Sequence, residues 1–483
     1  MHAVLDFAAN SLNTDFKSKY LRPCESIQES WNKVTTGSPE SAGGTQFQKS
    51  TSADAGAAKK RGLLSRIHTF DSLSIRDFRL LWLGQFDTSL GQWMDNISRG
   101  YLIYHITSSP LQLGLAAAVR GIPLLFFGII AGALADRSGR KAQLIVAQIT
   151  NAVLNFILAT LVLTNRVQPW HVYATGFLSG TVQAFQNPAR QTLVSDVAGP
   201  RHLINALALN SMATNSSRAV GPAFAGLLIA TVGVHGSYYV QAFMYVLATM
   251  WTIQMRIPER DSESVRVASE PLFQSIKAGF AYVGTNSNIR AQMILALGPL
   301  TLGMPFTNMM PIFAKDVLHG GAQLQGFLLS AFGIGSLLGA LVVASIPRRR
   351  AYALPAVIGA LVFSLTLFFF GSSHWVWLSL TCTFISGIFM TTYQTQNQAL
   401  LQLSAPRYIR GRVMSIYLIN RATVPIGTLF AGALAQHFGG PTAVRMMSLC
   451  ALGVVLLVIA TQPDFVRLKV DLQDEPDAPV IID

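Results

Sequence analysis

The stretch Gly132-Ala133-Leu134-Ala135-Asp136-Arg137-Ser138-Gly139-Arg140-Lys141 separates two long apolar runs, residues 111–134 and 142–163. A helix of about 20 apolar residues is long enough to span a bilayer. Both runs reach that length, so the stretch predicts a very short loop between two membrane helices. The rest of the chain repeats this arrangement of apolar runs and short polar loops.

The side chains of this stretch suit such a loop. Gly132 allows a neighbouring helix to come close, and Gly139 permits a tight turn. Asp136 ends a membrane helix, where it can accept hydrogen bonds from the N-terminus of another helix. The basic residues keep the loop on the cytoplasmic side by the positive-inside rule; they are Arg137, Arg140 and Lys141.

The pattern Gly-x-x-x-Asp-Arg-x-Gly-Arg-Lys resembles the loop signature of the major facilitator superfamily, found between its second and third membrane helices. The resemblance implies a conformational lock in which Arg140 pairs with Asp196 and Asp136 approaches the eleventh helix near Gly411. Such a cluster would hold the outward-facing state closed on the inside. The residues assigned to the lock are Gly132, Asp136, Arg137, Gly139, Arg140, Lys141 and Asp196.

The composition excludes several classes of protein. Of 483 residues, 51% are hydrophobic and 12% charged, which is not the composition of a soluble enzyme. The net charge of +13 does not indicate nucleic-acid binding, because the basic residues recur in short clusters between apolar runs. Cys24, Cys382 and Cys450 lack metal-ligand spacing. We find no Walker loop or nucleophile motif, and expect no enzyme activity, cofactor or metal.

The apolar runs predict twelve spans, which gives an all-α membrane protein of two six-helix parallel-repeat bundles, the major facilitator fold. The predicted spans are 78–104, 111–135, 142–164, 170–194, 203–231, 237–255, 291–313, 323–346, 353–370, 376–401, 412–437 and 444–460. The predicted domains are a disordered cytoplasmic tail 1–75, bundles 76–256 and 291–462, a connector 257–290 and an acidic tail 463–483.

The two halves repeat each other in sequence. Pro200-Arg201 recurs as Pro406-Arg407, an offset of 206 positions, and the same offset takes Gly221 to Gly427. Parallel repeats of this kind place a substrate site at the interface between the halves. The second-half counterpart of the signature loop, residues 347–350, keeps the basic charge and lacks the acid.

The loops also predict orientation and location. One set of loops holds most of the basic residues, so both termini are expected to be cytoplasmic in a multi-pass protein of the bacterial inner-membrane type. Residues 1–60 contain no uninterrupted apolar core and so do not form a signal peptide. The connector segment 271–283 has apolar residues at helical spacing, which predicts an amphipathic helix on membrane lipids.

Three further stretches resemble the exporter branch of the superfamily that includes the enterobactin exporters, the transmembrane secretion effector type. They are residues 100–110, 186–191 and 205–210, and the likeness runs from about residue 78 to 463. In the fifth helix, Gly221, Pro222 and Gly226 resemble, in weakened form, the Gly-Pro motif of proton-linked antiporters. Pro222 removes a backbone donor and kinks the helix.

Two acids lie at membrane depth on the first helix, and they are candidates for proton coupling. Asp95 has two possible basic partners, Arg99 four residues on and Arg120 on the second helix, so a structural role is also open. Asp87 has no local basic partner. Burial favours its neutral form, as proton coupling requires, unless it faces water and stays ionised.

Three arginines at membrane depth are candidates for the substrate cavity: Arg120, Arg218 and Arg421. Each could contact cargo or hydrogen-bond to helix ends. A positive interior favours an anionic or phenolate-bearing ligand.

These features together predict a monomeric secondary transporter that works by alternating access, most simply as a proton-coupled exporter of small amphipathic molecules, siderophore-like or drug-like. Its partners would be a small-molecule substrate, protons and membrane lipids, without nucleic acid. A proton-linked importer and a lysolipid translocator remain open. A non-transporting membrane sensor is a further alternative, which a soluble output domain would support.

Overall fold

The computed structural model describes the backbone of residues 72–137, 139–256, 280–345 and 350–471. The side chains at 125, 128–137, 200, 201, 350, 351, 407, 408, 415, 418–422 and 469–471 lie outside the described residues. Three predicted features also lie mostly or wholly outside the described residues: the two tails, the amphipathic helix 271–283 and the basic loop 346–349.

Helices account for nearly all of the described chain. The first half holds α1 (Arg76–Thr107), α2 (Pro110–Arg137), α3 (Arg140–Leu163), α4 (Pro169–Thr231) and α5 (Val234–Gln254). The second half holds α6 (Ser287–Gly303), α7 (Phe306–Ile312), the π-helix π1 (Phe313–Val317), α8 (Gly321–Ser345), α9 (Leu354–Ser372), α10 (Val376–Ser404), α11 (Arg407–Ala422), α12 (Val424–Phe438), α13 (Gly440–Thr461) and α14 (Pro463–Val466).

These helices account for the twelve predicted spans. Helix α4 has 63 residues, about 95 Å at 1.5 Å per residue, which is too long for one span. Its backbone breaks at Gly199, where φ is 67°, a conformation that glycine adopts without a Cβ clash. We count α4 as two spans because of this break. The consecutive elements α6, α7 and π1 form one span, and α11 and α12 form another. The described residues then contain twelve segments.

Six of the described helical segments are long and apolar enough to cross a membrane by length and composition alone. They are Arg140–Leu163, Ser287–Val317, Gly321–Ser345, Leu354–Ser372, Val376–Ser404 and Gly440–Thr461. Helix α1 is not among them because charged residues, Asp87, Asp95 and Arg99, occupy its middle. The all-α membrane fold predicted from the sequence is confirmed.

One small feature departs from the all-α prediction. Strands β1 (Arg350–Tyr352) and β2 (Lys469–Asp471) pair antiparallel, with Arg350 opposite Asp471. Phe465, just before β2, is fully buried. The segment after α13 is thereby attached to the connection between α8 and α9.

The helix ends define two ends of the bundle. One end, which we call the terminal end, contains residues 76, 137–140, 254 and 345. The opposite end, which we call the loop end, contains residues 107–110, 163–169, 231–234, 317–321 and 438–440. Near the loop end the two halves touch. Ser109 Oγ donates to Gln436 Oε1 at 2.9 Å, and the Tyr104 hydroxyl donates to Asp316.

Two glycine pairs bring the halves together near the loop end. Gly114 on α2 faces Gly432 on α12, and Gly226 on α4 faces Gly326 on α8. A Cβ added to Gly326 would lie 2.6 Å from the Pro222 carbonyl oxygen, so only glycine permits this contact. The repeat offset of 206 relates Gly226 of one pair to Gly432 of the other, and small residues of this kind let membrane helices approach closely.

We expect Gly326→Ala to separate α4 from α8 locally by about 1 Å, because C···O contacts normally sit at about 3.3–3.6 Å. The population should shift toward states open at the loop end. The measurement is the distance distribution between spin labels at the exposed residues Thr231 and His319. Gly453→Ala is the matched control, since nothing lies within 4 Å of that added Cβ. Equal distributions for the two variants would contradict the assignment.

Candidate functional site

A cavity of about 460 Å³ lies between the two halves. Helices α1, α2 and α4 line it from the first half. Helices α7, α8 and α12 line it from the second half, and Thr307 of α7 and Pro425 of α12 are among their lining residues. Its position agrees with the site that parallel repeats predict. Of the residues proposed for it from sequence, Arg120 lines the cavity, beside Arg99, Asn96 and Trp93.

The buried carboxylate Asp95 holds two arginines beside this cavity. Its Oδ1 lies 3.0 Å from Arg99 Nη2, and its Oδ2 lies 3.1 Å from Arg120 Nη1. Asp95 is 3% exposed, so the charge must be paired to be tolerated. The sequence left Arg99 and Arg120 as alternatives, and the structure pairs Asp95 with both. The three groups together carry one net positive charge.

The two arginines differ in how firmly they are held. Arg99 is buried and also donates to the Val172 carbonyl and to Thr175 Oγ1, each at 2.9 Å. Arg120 donates to Asn96 Oδ1 at 2.6 Å, and its side chain is 15% exposed. Arg120 is therefore the cation of this cluster that a ligand in the cavity can reach.

The other two arginines proposed for the cavity have different positions. Arg218 donates to Asn215 Oδ1, and its guanidinium lies 5.7 Å from the ring centroid of Trp93. Trp93 itself lines the cavity, whereas Arg218 is not one of the lining residues. The side chain of Arg421 lies outside the described residues.

The other acid, Asp87, is separate from the cavity. It is half-buried and accepts a hydrogen bond of 3.0 Å from the indole nitrogen of Trp251 on α5. Five residues separate it from the cavity residue Gln92, which turns it toward a different side of α1. No ion pair to Asp87 is found among the described residues.

One buried cation was not predicted as a site residue. Arg190 on α4 is 7% exposed and donates to Gln85 and to Thr88 Oγ1 of α1, while its Nε has no partner. The signal that could have found it is a charge within a predicted span, since such residues usually face the bundle interior.

The loop signature forms part of the predicted lock. Arg140, at the start of α3, makes an ion pair with Asp196 of α4, as the resemblance implied. Lys141 Nζ donates to the carbonyls of Ile253 and Met255 at 2.8 and 2.6 Å, which caps the end of α5. Gly139 is the N-cap of α3. The side chains at Gly132, Asp136 and Arg137 lie outside the described residues, so the predicted contact of Asp136 stays a prediction.

The Gly-Pro motif of the fifth span contacts the other half. The non-helical backbone of α4 is at Gly199, and the helix runs on through Pro222. Gly221 packs against Trp93, and the Ala223 N–H donates to Ser330 Oγ of α8 at 2.8 Å. With Gly226 beside Gly326, the motif lies in the contact between the two halves.

Comparison with known families decides what kind of protein this is. The sequence profile of the family described as transmembrane secretion effector matches residues 67–477. The chain belongs to this family. It is a multi-pass membrane transporter of the major facilitator superfamily, and not an enzyme.

Several characterised relatives are similar over most of their length. The staphyloferrin A transporter of Staphylococcus aureus is 24% identical over 80% of this chain and 95% of its own. The multidrug efflux pump Tap of Mycolicibacterium fortuitum is 27% identical, covering 79% and 95%. The enterobactin exporter EntS of Shigella flexneri is 24% identical, covering 80% and 92%. The predicted resemblance to the exporter branch is confirmed.

A solved structure supports the fold. The bacterial homologue of the human lysosomal transporter Spinster, in its inward-facing and occupied conformation, superposes with a TM-score of 0.65. It is 13% identical and covers 81% of this chain and 97% of its own. At that identity the likeness concerns the fold.

We expect Asp95→Asn to destabilise the secretion effector by about 3–5 kcal/mol, because it leaves two arginines without a buried counter-charge. Asp87→Asn should change stability little, since the amide oxygen can still accept from Trp251. The measurement is the free energy or midpoint of unfolding of each purified variant in the same detergent. Equal losses for both would show that the Asp95 ion pairs do not stabilise the bundle.

Proposed function

We propose that the protein is a proton-coupled exporter that moves small amphipathic molecules, siderophore-like or drug-like, by alternating access. The observation that carries the proposal is the cavity between two halves that already touch near the loop end. A cavity closed at one end and held between repeated halves is what alternating access requires. The names of the relatives, which include a multidrug efflux pump and an enterobactin exporter, support efflux.

Orientation follows from the basic loops. The terminal end, with Arg140 and Lys141, faces the cytoplasm under the positive-inside rule, and both termini lie on that side of the bacterial inner membrane. The loop-end contacts then close the cavity toward the outside, so cargo enters from the cytoplasm. One chain contains the whole cavity, which supports a monomer as the working unit.

The cargo is proposed to carry an anionic or phenolate group. Arg99, Arg120 and Asp95 leave one net positive charge beside the cavity, and Arg120 is the accessible cation. Buried in a low-dielectric wall, this charge attracts an anion more strongly than it would in water. Arg218 acts through Trp93 by holding the wall in place.

Arg120→Gln should therefore weaken binding of an anionic dye by about 10-fold or more, since hydrogen bonds to charged groups contribute about 1.5–3 kcal/mol. A neutral dye of similar size should bind nearly as before. The measurement is the affinity of both dyes for protein in nanodiscs. Arg166→Gln, at an exposed loop position, is the control. Equal losses for both dyes would assign Arg120 a structural role.

Proton coupling is proposed to run through Asp87. This carboxylate has one hydrogen-bond partner, Trp251, and no cation among the described residues to hold it ionised. Asp95 is held by two arginines, which favours the ionised form throughout the cycle. A carboxylate that can gain and lose a proton without stranding a buried arginine suits the coupling role.

Asp87→Asn should abolish gradient-driven accumulation of a transported dye in everted vesicles and leave dye exchange without a gradient largely intact. The neutral amide mimics the protonated form permanently, so the proton step is lost while the cavity is unchanged. The measurement is dye uptake with and without an acidic vesicle interior. If Asp87→Asn accumulates dye as the unmodified protein does, Asp87 is not the coupling group.

A proton-linked importer is the second candidate, and one contact favours it. Asp95 and an anionic cargo would compete for Arg120. Protonation of Asp95 would free Arg120 for the anion, so that proton and anion move in the same direction. The two candidates differ in the vesicle experiment: acid-driven movement of an anion with the proton, lost in Asp95→Asn, identifies the importer.

A further inference from the structure

The wall of the cavity is chemically divided between the two halves. Among the described residues that line it, the charged ones, Arg99 and Arg120, belong to the first half. The second half contributes neutral hydrogen-bonding groups, among them Asn308 and Gln325. A cargo anion held by the first half must therefore meet uncharged polar groups on the opposite wall.

Gln325 on α8 has an oxygen without a partner. The residue is 1% exposed, lines the cavity, and its Nε2 donates to the Ile97 carbonyl of α1 at 3.5 Å. A carbonyl can only accept, so this contact fixes the amide with nitrogen toward α1. The Oε1 of Gln325 is itself buried and has no hydrogen-bond donor among the described residues. A buried, unpaired oxygen is unfavourable until a donor reaches it.

The position of Gln325 relative to Arg120 follows from their contacts with the same helix. Arg120 contacts Asn96 of α1. The Gln325 amide contacts Ile97 of the same helix. It also lies near Gly100, because a Cβ added to Gly100 would be 3.9 Å from Gln325 Nε2. Asn96 and Gly100 are one helical turn apart, about 6 Å along the axis. Arg120 and Gln325 thus both line the cavity and both contact this stretch of α1.

We propose that the cargo carries an anionic oxygen group that binds Arg120 and a second group, an O–H or N–H, that donates to the unpaired Oε1 of Gln325. This assigns Gln325 as the residue of the second half that determines specificity, and it rests on the proposed function. A ligand with both groups bridges the halves across the cavity. A ligand with only the anion leaves the Gln325 oxygen unpaired and is discriminated against.

The test uses two matched probes and the full-length protein in nanodiscs. In 3-hydroxybenzoate one rigid ring carries both a carboxylate and a hydroxyl, and 3-methoxybenzoate keeps the anion but cannot donate. The unmodified protein should bind 3-hydroxybenzoate about 3- to 10-fold more tightly, the contribution of one neutral hydrogen bond. Gln325→Leu should remove that preference and leave the affinity for 3-methoxybenzoate unchanged, which also shows that the variant is folded.

Two further variants complete the design. Gln323→Leu changes an exposed glutamine on the same helix α8 that does not line the cavity, and it should keep the preference for the hydroxyl. Gln325→Met retains the length of the side chain and replaces Gln325→Leu if the latter does not fold. Arg120→Gln should weaken both probes equally, because both carry the carboxylate.

Three results would overturn the inference: no binding of 3-hydroxybenzoate, no preference for it in the unmodified protein, or a preference that survives both Gln325 variants. Its failure is distinct from failure of the proposed function. Gradient-driven dye export with no hydroxyl preference would reject only the role of Gln325. A preference that depends on Gln325, in a protein that exports no dye against a gradient, would keep the binding site and reject the exporter.

Discussion

Two arginines share one buried carboxylate in the first half of the molecule, and much of the site depends on this contact. Asp95 binds Arg99 on its own helix and Arg120 on α2, while Arg99 reaches on to Val172 and Thr175 of α4. Charges in an apolar bundle are tolerated only when paired, so the cluster fixes the positions of three helices relative to one another. It also leaves one positive charge beside the cavity.

The second constraint is how membrane helices associate. Lipid tails are as apolar as the helices, so close packing and hydrogen bonds between helices must replace the hydrophobic effect. The pairs Gly114–Gly432 and Gly226–Gly326 provide close packing between the halves, and Ala223 donates to Ser330 beside the second pair. These contacts lie toward the loop end, and the cavity opens between the same helices further along.

The terminal end is organised by side chains rather than by glycine contacts. Arg140 pairs with Asp196 across α3 and α4, and Lys141 binds the last carbonyls of α5. Both described contacts stay within the first half. They make that half a rigid unit that can move against the second, while the loop-end contacts must break and reform as the halves move.

The sequence by itself determined the class of structure. Runs of apolar residues, the loop around Asp136 and Arg140, and the offset that relates Gly221 to Gly427 predicted a twelve-span transporter, because these signals are local or periodic. The pairing of Arg140 with Asp196 was also predicted, though only through resemblance to a family.

Tertiary structure decided which charges meet. Sequence spacing offered Asp95 two partners and could not show that it takes both, nor that Asp87 lies on a different side of α1 beside Trp251. It placed Arg218 in the cavity, whereas in the structure Trp93 lines the cavity and Arg218 contacts the ring of Trp93. The unpaired oxygen of Gln325 was not found from sequence, and Arg190 was not predicted as a site residue. Helical periodicity fixes which residues share a face of one helix. The residues that pack against that face are often a hundred or more positions away in the sequence, so only the tertiary structure identifies them.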